Sequence, residues 1–324
     1  MGFNNYAGAL RQELAARNRE WAKGRAHVLS YGGDPVIVYA PEEGLHGNFF
    51  DPAYAAICAR PEWARRFNKI HTGGRTLPKN PDESARKWRE LDSSMSSDAL
   101  LMNVFCTPAV SAHPAILRML AVDAGQEPLF GWKAKVPLKS GLFDRTEVDM
   151  RWGGLLVEAK LTESDFQTRS AALVENYRDF EEVFDPELLP RTAIRIARRK
   201  QAIEFPEEFT QEWEKPAQEN ESIAAKFQAG IAARADELAP TLPGYMGYQL
   251  IRNVLAAHAH GLRFCVLHDE RRPDLREMWF SVLRAVRSAE LRSRLQVLTW
   301  QELASALPKW LQPFLEAKYG ILPG

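Results

Sequence analysis

Cysteine is scarce in this chain: three residues, Cys58, Cys106 and Cys265, stand far apart in 324 positions. An odd, scattered set supports neither a disulfide framework nor a zinc knuckle and fits a reducing compartment, so a cytoplasmic location is expected. No apolar run approaches the ~18 residues that span a bilayer, so no membrane partner is expected. The opening stretch, MGFNNYAGALRQELAAR, lacks the apolar core of a secretory signal, and Tyr6 breaks the myristoylation pattern. Net charge is missing too, since 42 basic residues balance 42 acidic ones. A whole-chain electrostatic case for nucleic acid is thereby removed. There is no repeat, no GxxxxGKS/T phosphate loop, no GxSxG elbow and no HExxH. His258 and His260, two apart on a helix, point to different sides and make poor co-ligands.

What is present is ordinary in amount and uneven in place. Hydrophobic residues at 45 % and charged residues at 26 % suit a globular core. Arg60–Glu90 holds nine Lys/Arg against four acids, whereas residues 174–187 and 204–221 are acidic. Such runs are most simply solvated faces. RTAIRIARRK (191–200) carries more weight, because on a helix Arg191, Arg195, Arg198 and Arg199 share one face.

The periodicity predicts a helix over 5–26 with Leu10, Leu14 and Trp21 inward, a strand at 35–40 and an irregular segment at 41–81. A helix capped by Asp82 follows, broken near Ser93–Ser97 and running to Phe105, with another over 113–124. Strand alternation marks 131–138, 144–151 and 155–161, and residues 163–238 read as largely helical. A helix (247–260), a strand (262–269), a helix, a strand (294–300) and closing helices complete the chain. Strands alternating with helices give an α/β class with a mixed sheet flanked by helices. The expected division is an N-terminal extension over 1–84 and a catalytic domain over 85–324, interrupted by an acidic helical insertion at about 163–240.

The chemistry concentrates in Glu147–Lys160. Gly153-Gly154 suits a two-residue hairpin turn, which sets Trp152 against Leu155, Asp149 against Glu158 and Glu147 against Lys160. Alternation then puts Val148, Met150, Val157, Ala159 and Leu161 on one face and Glu147, Asp149, Glu158 and Lys160 on the other. Carboxylates directly across two strands repel by about a few tenths of a kcal/mol or more, a penalty that a divalent cation removes. Oxygen ligands suit Mg²⁺, and a nearby cation would lower the pKa of Lys160.

This pattern, Val148-Asp149 followed by Glu158-Ala159-Lys160, resembles the D…ExK signature of the PD-(D/E)xK nuclease superfamily, with Val148 in place of the nominal proline. The runs SSDALLMNVF (96–105), YQLIRNVLAAHA (248–259) and the closing VLTWQEL…LEAKYG are similar to a bacterial restriction-endonuclease-like branch, over roughly residues 85–320. The resemblance implies a restriction-endonuclease-like fold in which Asp149 and Glu158 bind Mg²⁺ (Mn²⁺ substituting), the Ala159 carbonyl helps, and Lys160 assists the attacking water. It also implies a search for a carboxylate on the first core helix, for which Asp98 is the nearest match although related sequences tend to have Gln there. Gln249 is similar to a glutamine that some exonuclease-like members place beside the site, in a polar stripe with Arg252 and Asn253. Glu147 is a further candidate.

The expected activity is hydrolysis of nucleic-acid phosphodiesters, DNA before RNA, with Arg195, Arg198, Arg199 and Arg252 among the backbone contacts and a homodimer left open. Removing the side chain of Asp149 or Lys160 should abolish cleavage and spare folding, since both lie on the polar face. Three alternatives stay open: a catalytically silent nuclease-fold binding module, a glycoside hydrolase using Glu147 and Glu158, and a structural α/β domain with a polar hairpin.

Overall fold

The side chain of Asn5 accepts the Gly8 N–H at 2.8 Å and starts α1 (Tyr6–Trp21), which buries Leu10, Leu14 and Asn18 along one stripe. In this computed structural model the residues described are 5–30, 35–70, 89–195 and 241–324. The segment expected to be irregular after residue 41 contains two helices, α2 (Asp51–Cys58) and α3 (Pro61–Ala64), followed by a 3₁₀ turn at Arg65–Asn68. Each has a proline and an acid in its first turn. There the missing N–H costs nothing and the acid faces the positive end of the helix dipole, so these prolines start helices instead of ending them. Asp82, the expected cap of the next helix, lies outside the described residues. That helix, α4 (Ser97–Phe105), is capped by Ser96, whose hydroxyl accepts the Ala99 N–H at 3.1 Å, and all nine of its residues are buried. After it comes α5 (Pro114–Leu120).

The central sheet has five strands: β1 (Pro128–Lys133), β2 (Glu147–Trp152), β3 (Leu155–Ala159), then β7 (Arg263–His268) and β8 (Leu295–Thr299), in the spatial order β8-β7-β3-β2-β1. β1, β2 and β3 pair antiparallel, and β3, β7 and β8 pair parallel, which makes the sheet mixed. Gly153 takes φ +56° in the β2–β3 turn, and Trp152 faces Leu155 as expected. β3 is buried at every position, as a strand covered on both faces must be.

One layer packs α1, α4, α5, α8 (Trp300–Ala306) and α9 (Gln312–Tyr319) against Met150, Trp152, Leu155, Val157, Cys265 and Leu267. The opposite layer packs α6 (Tyr248–His260) and α7 (Pro273–Leu283) against Leu156, Phe264 and Val266. Trp152, beside the hairpin turn, is fully buried in the first of these layers, and its indole N–H donates to Gln126 O at 2.9 Å. At the α1–α9 contact, Lys318 Nζ donates to Asn18 Oδ1 at 2.6 Å, and the same oxygen accepts the Tyr39 hydroxyl at 3.0 Å.

The insertion is not chiefly helical where it is described. Residues 168–170, 191–195 and 241–246 form β4, β5 and β6, a three-stranded antiparallel sheet in the order β4-β6-β5, with four-residue helices at 171–174 and 180–183. Arg191 and Arg195 therefore lie at the two ends of an extended strand paired to Tyr245 and Thr241, not on one face of a helix. The alternation Thr192-Ala193-Ile194 packs at period two, and pairing with β6 overrides the helical spacing of the arginines. Arg198 and Arg199 lie outside the described residues.

Candidate active site at the carboxyl end of β3

The ladder between β2 and β3 runs from Trp152↔Leu155 to Met150↔Val157 and goes no further. Beyond it the Ala159 N–H bonds the carboxylate of Asp149 (Oδ2, 2.8 Å) in place of a strand carbonyl. The strands part where the acidic residues begin. The faces expected from strict alternation break at the same point: Met150 and Trp152 pack into the α4 layer, while Val148 packs into the α6 layer. β3 keeps its place because β7 holds it on the other side, with Glu158 in register with Val266 and the Lys160 N–H donating to Leu267 O at 2.8 Å. Glu158 and Lys160 thus sit at the carboxyl end of the parallel part of the sheet, where crevices form in α/β folds.

Both are nearly sealed from solvent. Lys160 Nζ donates to Glu158 Oε1 at 2.7 Å, and the Asn253 amide donates to Glu158 Oε2 at 2.8 Å. Burial alone would pull the ammonium of Lys160 down, but Glu158, Glu163 and Asp149 outweigh it and hold its pKa well above the usual lysine range. The direction is opposite to the one expected beside a cation. Asp149 is pushed well above the carboxylate range, first by burial and then by Glu158 and Asp98. Behind Lys160, Trp300 Nε1 donates to its carbonyl at 3.0 Å. Arg272, fully buried, ties down the next loop through Glu163 O (2.7 Å) and Ser164 O (3.0 Å). The Glu163 carboxylate takes the Leu161 N–H at 2.7 Å and the Ser97 hydroxyl.

A second set of charges flanks the first. Asp98, buried in the first turn of α4, accepts from Arg66 Nη2 at 2.6 Å and Lys69 Nζ at 2.9 Å, both from the segment after α3. Arg66 Nη1 also reaches Glu147 Oε2 at 2.9 Å. Burial pushes the Asp98 carboxyl up, yet Lys69 and Arg66 hold it below its usual range. Glu147, Asp98, Asp149, Glu158 and Lys160 are thus brought into one neighbourhood. Arg252 joins from behind: it is buried and donates through Nη2 to Glu147 O (2.8 Å) and to Asn253 Oδ1 (2.7 Å). Its Nε and Nη1 have no hydrogen-bond partner among the described residues. Gln249 lies one turn before Asn253, with its backbone N–H on Phe166 O, and the direct bond to Glu158 comes from Asn253. Arg195 is on the exposed edge sheet.

The donor set can be tested against a divalent cation. Among the described residues no three His, Cys, Asp or Glu side chains gather as a metal cluster. What remains is two acids, Asp149 and Glu158, whose mutual repulsion is recorded in the raised pKa of Asp149. Mg²⁺ keeps most of its waters and takes one or two protein carboxylates, so this sparse set suits it. Glu158 spends one hydrogen bond on each oxygen, and a carboxylate has about four lone-pair positions, which leaves room for an ion.

A family model described as "Restriction Endonuclease associating with ARP" matches residues 15–320. The chain belongs to this family. No curated protein and no solved structure matches it. The family match reaches further toward the N-terminus than the likeness read from the sequence, and so takes in Arg66 and Lys69 as well as the hairpin. A restriction-endonuclease-like chain is accordingly what the α/β fold carries, and no helix among the described residues is long and apolar enough to cross a membrane. Sequence reasoning missed Asn253, Arg66, Lys69, Glu163 and Arg272. Asn253 had a signal, since it stands on the polar stripe of α6 with Gln249 and Arg252. Arg66 and Lys69 stood in the basic 60–90 stretch, read from the sequence as a nucleic-acid backbone contact but not resolved to residues. Glu163 and Arg272 carried no signal, because their roles arise from contacts between distant segments.

Proposed function

We propose that the protein is a Mg²⁺-dependent nuclease of the PD-(D/E)xK type that hydrolyses phosphodiester bonds of nucleic acid, DNA before RNA. The observation that carries the reading is the meeting of Asp149, Glu158 and Lys160 where β2 and β3 separate, with Lys160 2.7 Å from Glu158. Asp149 and Glu158 would hold the ion, which when bound activates water and offsets charge at the phosphorus. Lys160, whose ammonium donates to Glu158 at 2.7 Å, would assist the attacking water or donate to a phosphate oxygen. Asn253 fixes the second oxygen of Glu158 so that the carboxylate cannot turn away. The family description names an association with ARP, which we carry over as the expectation that the chain works in a complex.

The test is plasmid nicking with Mg²⁺, Mn²⁺ or EDTA, beside calorimetric titration of Mn²⁺ into wild type and Asp149→Asn. Metal binding and nicking should vanish together in the variant. A wild type that binds no metal in the presence of DNA would sink the reading and favour the silent binding module. Cleavage of RNA but not DNA would move the substrate and leave the chemistry.

A further inference from the structure

Asp98, Glu147, Asp149, Glu158 and Glu163 share one neighbourhood with Arg252, buried and bonded to the Glu147 carbonyl, and with three cations that pair with carboxylates, Arg66, Lys69 and Lys160. A phosphodiester approaching such a site meets repulsion unless cations face it. The three cations are not equally free. The side chain of Lys160 is 5 % exposed and that of Arg66 9 %, whereas that of Lys69 is 33 % exposed. Arg66 spends both terminal nitrogens on Asp98 and Glu147. Among the described residues Lys69 spends one bond, on Asp98, and an ammonium has three donors. Through Asp98 it is joined to Arg66, which reaches Glu147 at the start of β2, the strand that carries Asp149.

Resting on the nuclease reading, we propose that Lys69 is a substrate-binding residue that grips a backbone phosphate next to the cleaved bond, with Asp98 serving as the anchor that holds Lys69 and Arg66 in place and not as a metal ligand. The anchor has a clear physical use. A lysine on a mobile loop loses about 2 kcal/mol of rotamer freedom when it binds, and an ion pair to a buried carboxylate meets that loss in advance. Arg66, bridging Asp98 and Glu147, ties the cation-bearing segment to the start of β2. The segment before α4 then supplies part of the site and not merely a covering for it.

The experiment is fluorescence anisotropy of a labelled DNA duplex in EDTA, over a range of salt, with wild type, Lys69→Gln and Lys69→Arg, beside Mn²⁺ titration of Asp98→Asn. One phosphate contact contributes about 0.9 to the slope of log affinity against log salt. Assayed below its own melting temperature, Lys69→Gln should lower the slope by about that amount and weaken binding most at low salt, and Lys69→Arg should restore the slope. Asp98→Asn should leave Mn²⁺ affinity within about twofold of wild type while weakening DNA binding. A wild-type slope in Lys69→Gln, with cleavage still lost in Glu158→Gln, overturns the clamp and spares the nuclease reading. Loss of Mn²⁺ binding in Asp98→Asn overturns the anchor and makes Asp98 a ligand. A wild type with no salt-dependent affinity for either DNA or a matching RNA duplex overturns the clamp and the nuclease reading together.

Discussion

Two lysines of this chain are withdrawn from water and end in opposite states. Lys160 is 4 % exposed and Lys318 is 0 % exposed, and burial pulls both ammonium groups toward neutrality. Lys160 has Glu158, Glu163 and Asp149 around it and is held charged. Lys318 lies over the rings of Tyr39 (4.6 Å) and Tyr319 (5.1 Å) and donates to one amide oxygen. Neither rings nor amide offset its desolvation, Arg25 adds repulsion, and its pKa falls well below the lysine range. The difference separates a tether from a working group. Lys318 joins α9 to α1 and needs only a donor. Lys160 is kept charged by clustered acids that repel one another, and a fold shaped by stability alone gains nothing from such a cluster.

The largest break in this comparison comes from Lys160→Met. Removing one partner of a buried ion pair costs about 3–5 kcal/mol, so the variant should melt well below wild type. Assayed below its own melting temperature, it should lose about a hundred- to a thousandfold in kcat. This departs from the expectation that the hairpin's polar face could be altered with folding intact, because Glu158 and Lys160 on that face are buried. A variant with wild-type stability would show that the acids around Lys160 do not need it.

Asp149→Asn sharpens the contrast in the other direction. A carboxyl whose folded pKa is raised contributes stability below the ordinary carboxylate range and loses it as pH rises through the folded value. Asparagine removes that loss and can still accept the Ala159 N–H. In EDTA at neutral pH the variant should be more stable than wild type by about 1 kcal/mol, with the gap closing toward acid, while cleavage disappears. Equal melting temperatures across the pH range would mean that the carboxylates do not repel.

Asn253→Ala should weaken Mn²⁺ binding by about tenfold, the usual effect of a group that orients a metal-binding carboxylate. Asn253→Gln should recover part of it, and unchanged affinity would remove Asn253 from the site. The smallest effect belongs to Lys318→Met. A lysine with a depressed folded pKa adds stability above its unfolded value and loses it as pH falls through the folded one. The variant should cleave normally and show a flatter fall of melting temperature in acid. Lost cleavage would give Lys318 a part in the site that its position does not suggest.

Much of the centre could be read from the residues. The glycine pair at 153–154 set the turn and the Trp152–Leu155 pairing, and the expected strands overlap every strand of the central sheet, although the first, expected at 131–138, lies at Pro128–Lys133. What failed has identifiable causes. Pro52 and Pro61 mark helix starts, where a missing N–H is free, and the same residue type reads as a breaker elsewhere. Arg191–Arg195 keep helical spacing, but Thr192 and Ile194 pack at period two against β6, and pairing decided. Val148 left its predicted face because the Asp149 side chain took the Ala159 N–H, a bond between a side chain and a backbone that no hydrophobic pattern records. The cations at 66 and 69 stood in a basic stretch, yet only the fold shows that they meet Asp98.

The parallel pairing of β3 with β7 has a consequence in time. Glu158 leaves the ribosome long before Asn253, which fixes it, and before Val266, its neighbour in the sheet. Contacts so distant along the chain form late in folding. On the reading proposed here, a chain that has emerged as far as Lys160 carries both carboxylates and no assembled centre, and the cutting machinery closes only after Arg263–His268 has been made.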